Sequence, residues 1–233
     1  MFDLIGFDAD DTLWHNETLY LAAQDKLKQL LSTYQPAEVV EEVLHETETR
    51  NLRHFGYGIK GFALSMIEAA IELSEGRVQG QEIQALVDLA REMLDAPVQL
   101  FEHAEETVAS LSATHRLALI TKGDLLDQQA KFERSGLSTH FTHLEIVSEK
   151  TSETYKTILA RHGVDPQHFL MVGNSLKSDV LPVVAIGGQA VYIPSHLTWA
   201  HESASGHAGE HRHYHELEHI GKLPDLVRQL AAG

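Results

Sequence analysis

The sequence predicts an α/β fold, a parallel-sheet core with helices on both faces and a small all-helical unit inserted near its start. Three observations lead there. Short apolar runs alternate with amphipathic stretches from residue 96 to the end, and one further apolar run stands at the N-terminus. The segment between them, 15–95, carries helical periodicity only.

The first element is the run Leu4, Ile5, Gly6, Phe7, which has no charge and reads as a buried strand emerging at Asp8. Four helices follow. ETLYLAAQDKLKQLLSTY places Leu19, Ala22, Ala23, Leu27, Leu30 and Leu31 on one stripe, and Pro36 opens a second helix through VVEEVLHETETRNL. GFALSMIEAAIELSEG, closed by Gly76, and GQEIQALVDLAREML are the third and fourth, and Pro97 ends the series. Helices in sequence without a strand form a small bundle. From there the pattern alternates: helix EHAEETVASLSA, strand RLALIT, helix LLDQQAKFERSG, strand LEIV, helix SETYKTILARHG, strand FLMVG, helix SDVLPVVAIGG, strand AVYI and a closing helix KLPDLVRQLAA. Strands separated by helices imply βαβ units, hence parallel pairing. The core is then residues 1–14 and 96–233, and the bundle at 15–95 is an insertion after the first strand.

Composition narrows the function classes. With 34 acidic and 18 basic side chains the formal charge is 18 − 34 = −16, which argues against nucleic acid and anionic membranes as partners. The absence of cysteine excludes disulfides, thiolate zinc sites and a thiol nucleophile. No secretory leader pattern and no long apolar run are present, so a cytoplasmic location is expected.

Chemistry concentrates where the strands end. In an open α/β sheet the ligand crevice lies at the carboxyl ends of the strands. Those ends carry Asp8, then Asp10 and Asp11; Thr121, Lys122 and Gly123; Lys150; and Gly173, Asn174 and Ser175 with Asp179 close behind. Asp8 and Asp10 alternate to one side of an extended segment, and carboxylates that close either raise one pKa or recruit a cation. Acids, a hydroxyl and an amine meeting in one cleft are suited to handling a phosphoryl group.

FDADDT at 7–12, ITKG at 120–123, Lys150 and GNSLKSD at 173–179 resemble, in order and spacing, the four motifs of the haloacid dehalogenase superfamily. The resemblance covers essentially the whole chain. It implies a Rossmann-like core, a helical cap at 15–95, and a phosphatase acting on a small organic phosphate. Asp8 would be the nucleophile that forms an aspartyl-phosphate, and Asp10 the acid that protonates the leaving alcohol and then the base that activates water. Thr121, Lys122, Gly123 and Lys150 would bind phosphoryl oxygens. Asp8, the Asp10 backbone carbonyl, Asn174 and Asp179 would hold Mg²⁺. Two positions depart from the common pattern: Asp11 stands where the family often has glycine, and Asn174 where it often has aspartate. A haloacid dehalogenase and a phosphomutase are the alternatives on the same fold, and a non-catalytic metal- or partner-binding protein is the alternative of another class. A dehalogenase has no need of an acid at position 10.

Two further stretches stand out. Residues 196–219 hold seven of the sixteen histidines, with His211, His215 and His219 at spacings that would share a helix face, but Ser, Gly and Glu content favours an exposed loop. RHFGYGIKGF sets Arg53, Tyr57 and Lys60 among glycines, read first as a plain helix connection and second as cations for an anionic substrate.

Overall fold

The computed structural model describes residues 2–195 and 214–232. Strands β1 (Leu4–Phe7), β2 (Arg116–Lys122), β3 (His143–Val147), β4 (Phe169–Gly173), β5 (Gln189–Tyr192) and β6 (Tyr214–Glu216) form one sheet in the order β3-β2-β1-β4-β5-β6. Every neighbouring pair is parallel. The chain moves outward from β1 to β2 and β3, then returns to β4 on its other side. The switch point therefore lies between β1 and β4, the position at which open α/β sheets bind their ligands.

Period-two alternation divides the core between the two faces. Ile5, Phe7, Leu117, Leu119, Leu170 and Val172 point to one side, where they pack with α5 (Ala104–Ser112) and α9 (Leu223–Ala232) through Val108, Leu111, Leu223 and Val227. Leu4, Ala118, Ile120, Phe169 and Met171 point to the other, against Tyr155, Ile158 and Leu159 of α7 (Ser152–His162). Burial on both faces is why these strands read as continuous apolar runs.

The chain divides into two compact units, one of residues 1–17, 98–122 and 130–233, the other of 18–97 and 123–129. The second contains α1 (Glu17–Leu31, all but its first residue), α2 (Ala37–Phe55), α3 (Ile59–Leu73) and α4 (Gly80–Asp95). Its core joins Ala23, Leu27 and Leu31 to Leu44, Met66, Ala70 and Leu86. Ala22, placed on the buried stripe from sequence, is exposed, because the stripe follows the i, i+4 row through Leu19, Ala23, Leu27 and Leu31. Residues 123–129, which open α6 (Leu125–Arg134), group with this helical unit although they follow β2 directly.

Two expectations need correction. The stretch SDVLPVVAIGG is no single helix: a wide π turn over Leu176–Val180 precedes the short α8 (Leu181–Val184), with Pro182 in its first turn. Pro182 has no N–H to continue a helix from the preceding residues. The histidine-rich segment is not wholly loop, since β6 pairs Tyr214, His215 and Glu216 with Ala190, Val191 and Tyr192. Three residues are too few to leave a period-two signal. His215 thus lies on a strand and shares no helix face with His219; His196, His201, His207, His211 and His213 fall outside the described residues.

Candidate active site

Asp8 follows the last residue of β1, and its N–H donates to the Val172 carbonyl at 2.8 Å, which extends the β1–β4 ladder by one residue. The carboxylate thereby emerges at the switch point. Lys150 reaches it from the loop after β3, with Nζ 2.5 Å from Asp8 Oδ1 and 2.7 Å from Asp179 Oδ1. Thr12 closes the other side: its hydroxyl donates to Asp8 Oδ2 at 2.8 Å and lies 3.2 Å from Asn174 Oδ1. Asp8, Lys150, Asn174 and Asp179, expected together from sequence, thus converge. Thr12 was not foreseen, although the xT ending of FDADDT contained it.

Asp179 is held by the π turn. The Ser175 N–H donates to Asp179 Oδ2 at 3.0 Å, and the Ser178 N–H donates to Ser175 Oγ at 3.1 Å. Gly173 makes this seating available, because a Cβ there would lie 2.2 Å from Asp179 Oδ2. Burial pushes the Asp179 carboxyl above the usual carboxylate range against the pull of Lys150, and the Asp8 charge adds to the rise. Burial alone would lower Lys150, but Asp179 and Asp8 outweigh it and hold the ammonium above its ordinary value. Lys150 is therefore a permanent cation at this site.

Asp10 turns elsewhere. Trp14 Nε1 donates to its Oδ1 at 2.7 Å, and Lys131 Nζ sits 3.1 Å from both of its oxygens. Lys131 also donates to Asn16 Oδ1 at 2.9 Å. Sequence reasoning passed over Lys131, which lies 121 positions from Asp10 on a helix read only as amphipathic.

Asp11 adopts a left-handed backbone, φ 59°, the conformation for which glycine is the easiest residue. Aspartate is among the side chains that tolerate it, and here the carboxylate accepts the N–H groups of Asn16 and Glu17 at 3.0 and 3.1 Å, capping the start of α1. Burial raises Asp11 to about 6, partly offset by those two donors. Burial and then the Asp11 charge raise Glu17, which is 9% exposed, to about 7.

Thr121 is buried near the end of β2, with its hydroxyl 3.3 Å from the Lys122 carbonyl, and Lys122 Nζ donates to Ser178 Oγ at 3.1 Å. Gly123 has φ 131°, a conformation that side-chain-bearing residues rarely adopt, so the chain can turn sharply after β2. In the helical unit, Lys60 Nζ pairs with Asp124 Oδ1 at 2.8 Å, and Arg53 Nε donates to His54 Nε2 at 3.0 Å.

The donor chemistry fits a hard divalent cation. Asp8 and Asp179 offer carboxylate oxygens and Asn174 an amide oxygen, with no nitrogen or sulfur ligand beside them. Among the described residues no three His, Cys, Asp or Glu side chains cluster as a complete metal site, and the Asp10 carboxylate is directed to Trp14 and Lys131. Any contribution from Asp10 to such a site would come from its backbone carbonyl, since its carboxylate is engaged by Trp14 and Lys131.

The haloacid dehalogenase-like hydrolase family model matches residues 2–187. A haloacid dehalogenase-like hydrolase of known structure from Xanthomonas campestris is 41% identical, covers 99% of this chain and 92% of its own, and superposes with a TM-score of 0.88. Ribulose-1,5-bisphosphate 5-phosphatase of Halopiger xanaduensis is 28% identical across 97% of this chain and 100% of its own length. Glyceraldehyde 3-phosphate phosphatase of Methanothermobacter thermautotrophicus is 25% identical across 86% of this chain and 89% of its own. L-2-haloacid dehalogenase of Xanthobacter autotrophicus, 18% identical over 98% of this chain and 99% of its own, shares the fold with a TM-score of 0.65. Matched over most of its length by the family model, and across nearly all of it by a solved member, the chain belongs to the haloacid dehalogenase-like hydrolases.

Proposed function

We propose that this hydrolase is a phosphatase that cleaves the phosphate monoester of a small organic molecule, with Asp8 as nucleophile and Asp10 as acid and base. The observation that carries the reading is the pairing of two acids with different partners. Asp8 is fixed by Lys150 and Thr12 at the strand end, and Asp10, two residues on, has its own cation in Lys131. Asp8 would attack phosphorus as the bond to the leaving oxygen breaks, and Asp10 would give that oxygen a proton. Asp10 would then take a proton from the water that attacks the aspartyl-phosphate, releasing inorganic phosphate and restoring Asp8. Lys150, Thr121, Lys122 and the Gly123 backbone are suited to hold phosphoryl oxygens. Mg²⁺ bound by Asp8, the Asp10 carbonyl, Asn174 and Asp179 would supply further positive charge to those oxygens.

The presence of Asp10 favours phosphoryl transfer over dehalogenation, which has no leaving alkoxide to protonate. Two relatives named for phosphorylated sugars support a sugar phosphate or similar small metabolite as substrate. In this reading residues 15–95 serve as the helical cap domain of the enzyme. Turnover of p-nitrophenyl phosphate with Mg²⁺, abolished in Asp8→Asn, is the expected outcome. Undiminished turnover in that variant would remove Asp8 from the nucleophile role.

A further inference from the structure

Among the described residues, Lys131 is a buried cation beside Asp10 to which the reaction above gives no step. Its side chain is 7% exposed, and its ammonium contacts both oxygens of Asp10 and the amide oxygen of Asn16. We infer that Lys131 is a positioning residue for proton transfer: with Trp14 it fixes the Asp10 carboxyl in one orientation, and Asn16 in turn fixes Lys131. This rests on the acid and base role proposed for Asp10.

Three features of the geometry support it. Asp10 lies two residues from Asp8 and next to Asp11, so the acid that must move a proton stands among like charges that would drive its side chain away from them. A pair of donors on one side, indole and ammonium, offers a single well-defined direction instead. The helix start is also arranged around the contact, because Asn16, 9% exposed, places its side chain on Lys131 and its N–H on the Asp11 carboxylate. Finally, the two partners are shielded unequally, with the Lys131 side chain 7% and the Asp10 side chain 22% exposed, so the cation is held inside while the acid keeps access to solvent.

General acid catalysis is worth about 10²- to 10⁴-fold, and it matters most when the leaving group is a poor one. A positioning residue that acts through the acid should therefore share its leaving-group signature. Lys131→Met is expected to lower kcat on a primary alkyl phosphate such as glycerol 3-phosphate at least about 10-fold more than on p-nitrophenyl phosphate, with KM little changed on either. Lys131→Arg should restore part of the alkyl-phosphate rate. In an Asp10→Asn background, Lys131→Met should add no further selective loss. A structural role would lower both substrates equally and add to Asp10→Asn, and that result would overturn the inference. The same holds if Lys131→Met is indistinguishable from wild type. If Lys131→Met does not fold, Asn16→Ala and Lys131→Gln carry the same comparison with smaller changes in packing. Asp10→Asn is measured alongside: absence of leaving-group selectivity there would overturn the role of Asp10 itself, whereas selectivity in Asp10→Asn without it in the Lys131 variants would overturn only the positioning role.

Discussion

Gly173→Ala tests the seating of Asp179 with one methyl group. The added Cβ would lie 2.2 Å from Asp179 Oδ2, 2.3 Å from its Cγ and 2.6 Å from its Cβ. Non-bonded heavy atoms need about 3.5 Å, so Asp179 would have to retreat by about 1 Å. It has little room, being 1% exposed and bonded through one oxygen to Lys150 and through the other to the Ser175 N–H. Overpacking costs about 1–3 kcal/mol, and loosening a hydrogen bond to a charged group about 1.5–3 kcal/mol. Together these predict destabilisation of about 2.5–6 kcal/mol, read as a lower midpoint in urea denaturation with an unchanged slope. A displacement of about 1 Å at a site of this kind can cost about 10²-fold in rate, so p-nitrophenyl phosphate turnover should fall by that order even where the variant is fully folded. Wild-type stability together with wild-type turnover would show that Asp179 does not depend on the space Gly173 leaves.

Two further outcomes follow from charge. Glu17 has its pKa raised from 4.5 to about 7 on folding, so its contribution is full below about 4.5 and is lost as pH rises through about 7. Glu17→Gln should therefore stabilise the protein by about 1–2 kcal/mol at pH 8, after allowance for solvent screening, and give no gain at pH 4; equal effects at both pH values would contradict the burial argument. Asn174→Asp adds a negative oxygen beside Asp8, so the Mg²⁺ concentration for half-maximal turnover at saturating substrate should fall, whereas Asp179→Ala should raise it. No change in either variant would require a different metal site.

Much of this arrangement was legible in the sequence because it is local. An uncharged run ending at Asp8 specifies a buried strand and the position of its carboxylate together, and GNSLKSD places Gly173, Asn174 and Asp179 within seven residues at the end of another strand. What escaped depends on tertiary contact. Lys131 meets Asp10 only once α6 folds back on the sheet, and its neighbours in sequence give no sign that this lysine is buried. β6 was missed because its three residues gain their place from backbone pairing with β5, which leaves no mark on side-chain pattern. Asp11 stands out in the sequence only as a departure from the family's usual glycine; that its carboxylate accepts the first N–H groups of α1 depends on how the chain turns after β1.

The covalent step is the most direct point of test. Wild-type protein mixed with p-nitrophenyl phosphate and Mg²⁺, quenched in acid and reduced with borohydride, should yield a peptide in which residue 8 has become homoserine, the product of a reduced aspartyl-phosphate. Asp8→Asn should yield none, and Asp10→Asn should accumulate more than wild type because the base that activates water is missing. Label found at another residue, or none in any variant while phosphate is still released, would contradict nucleophilic catalysis by Asp8.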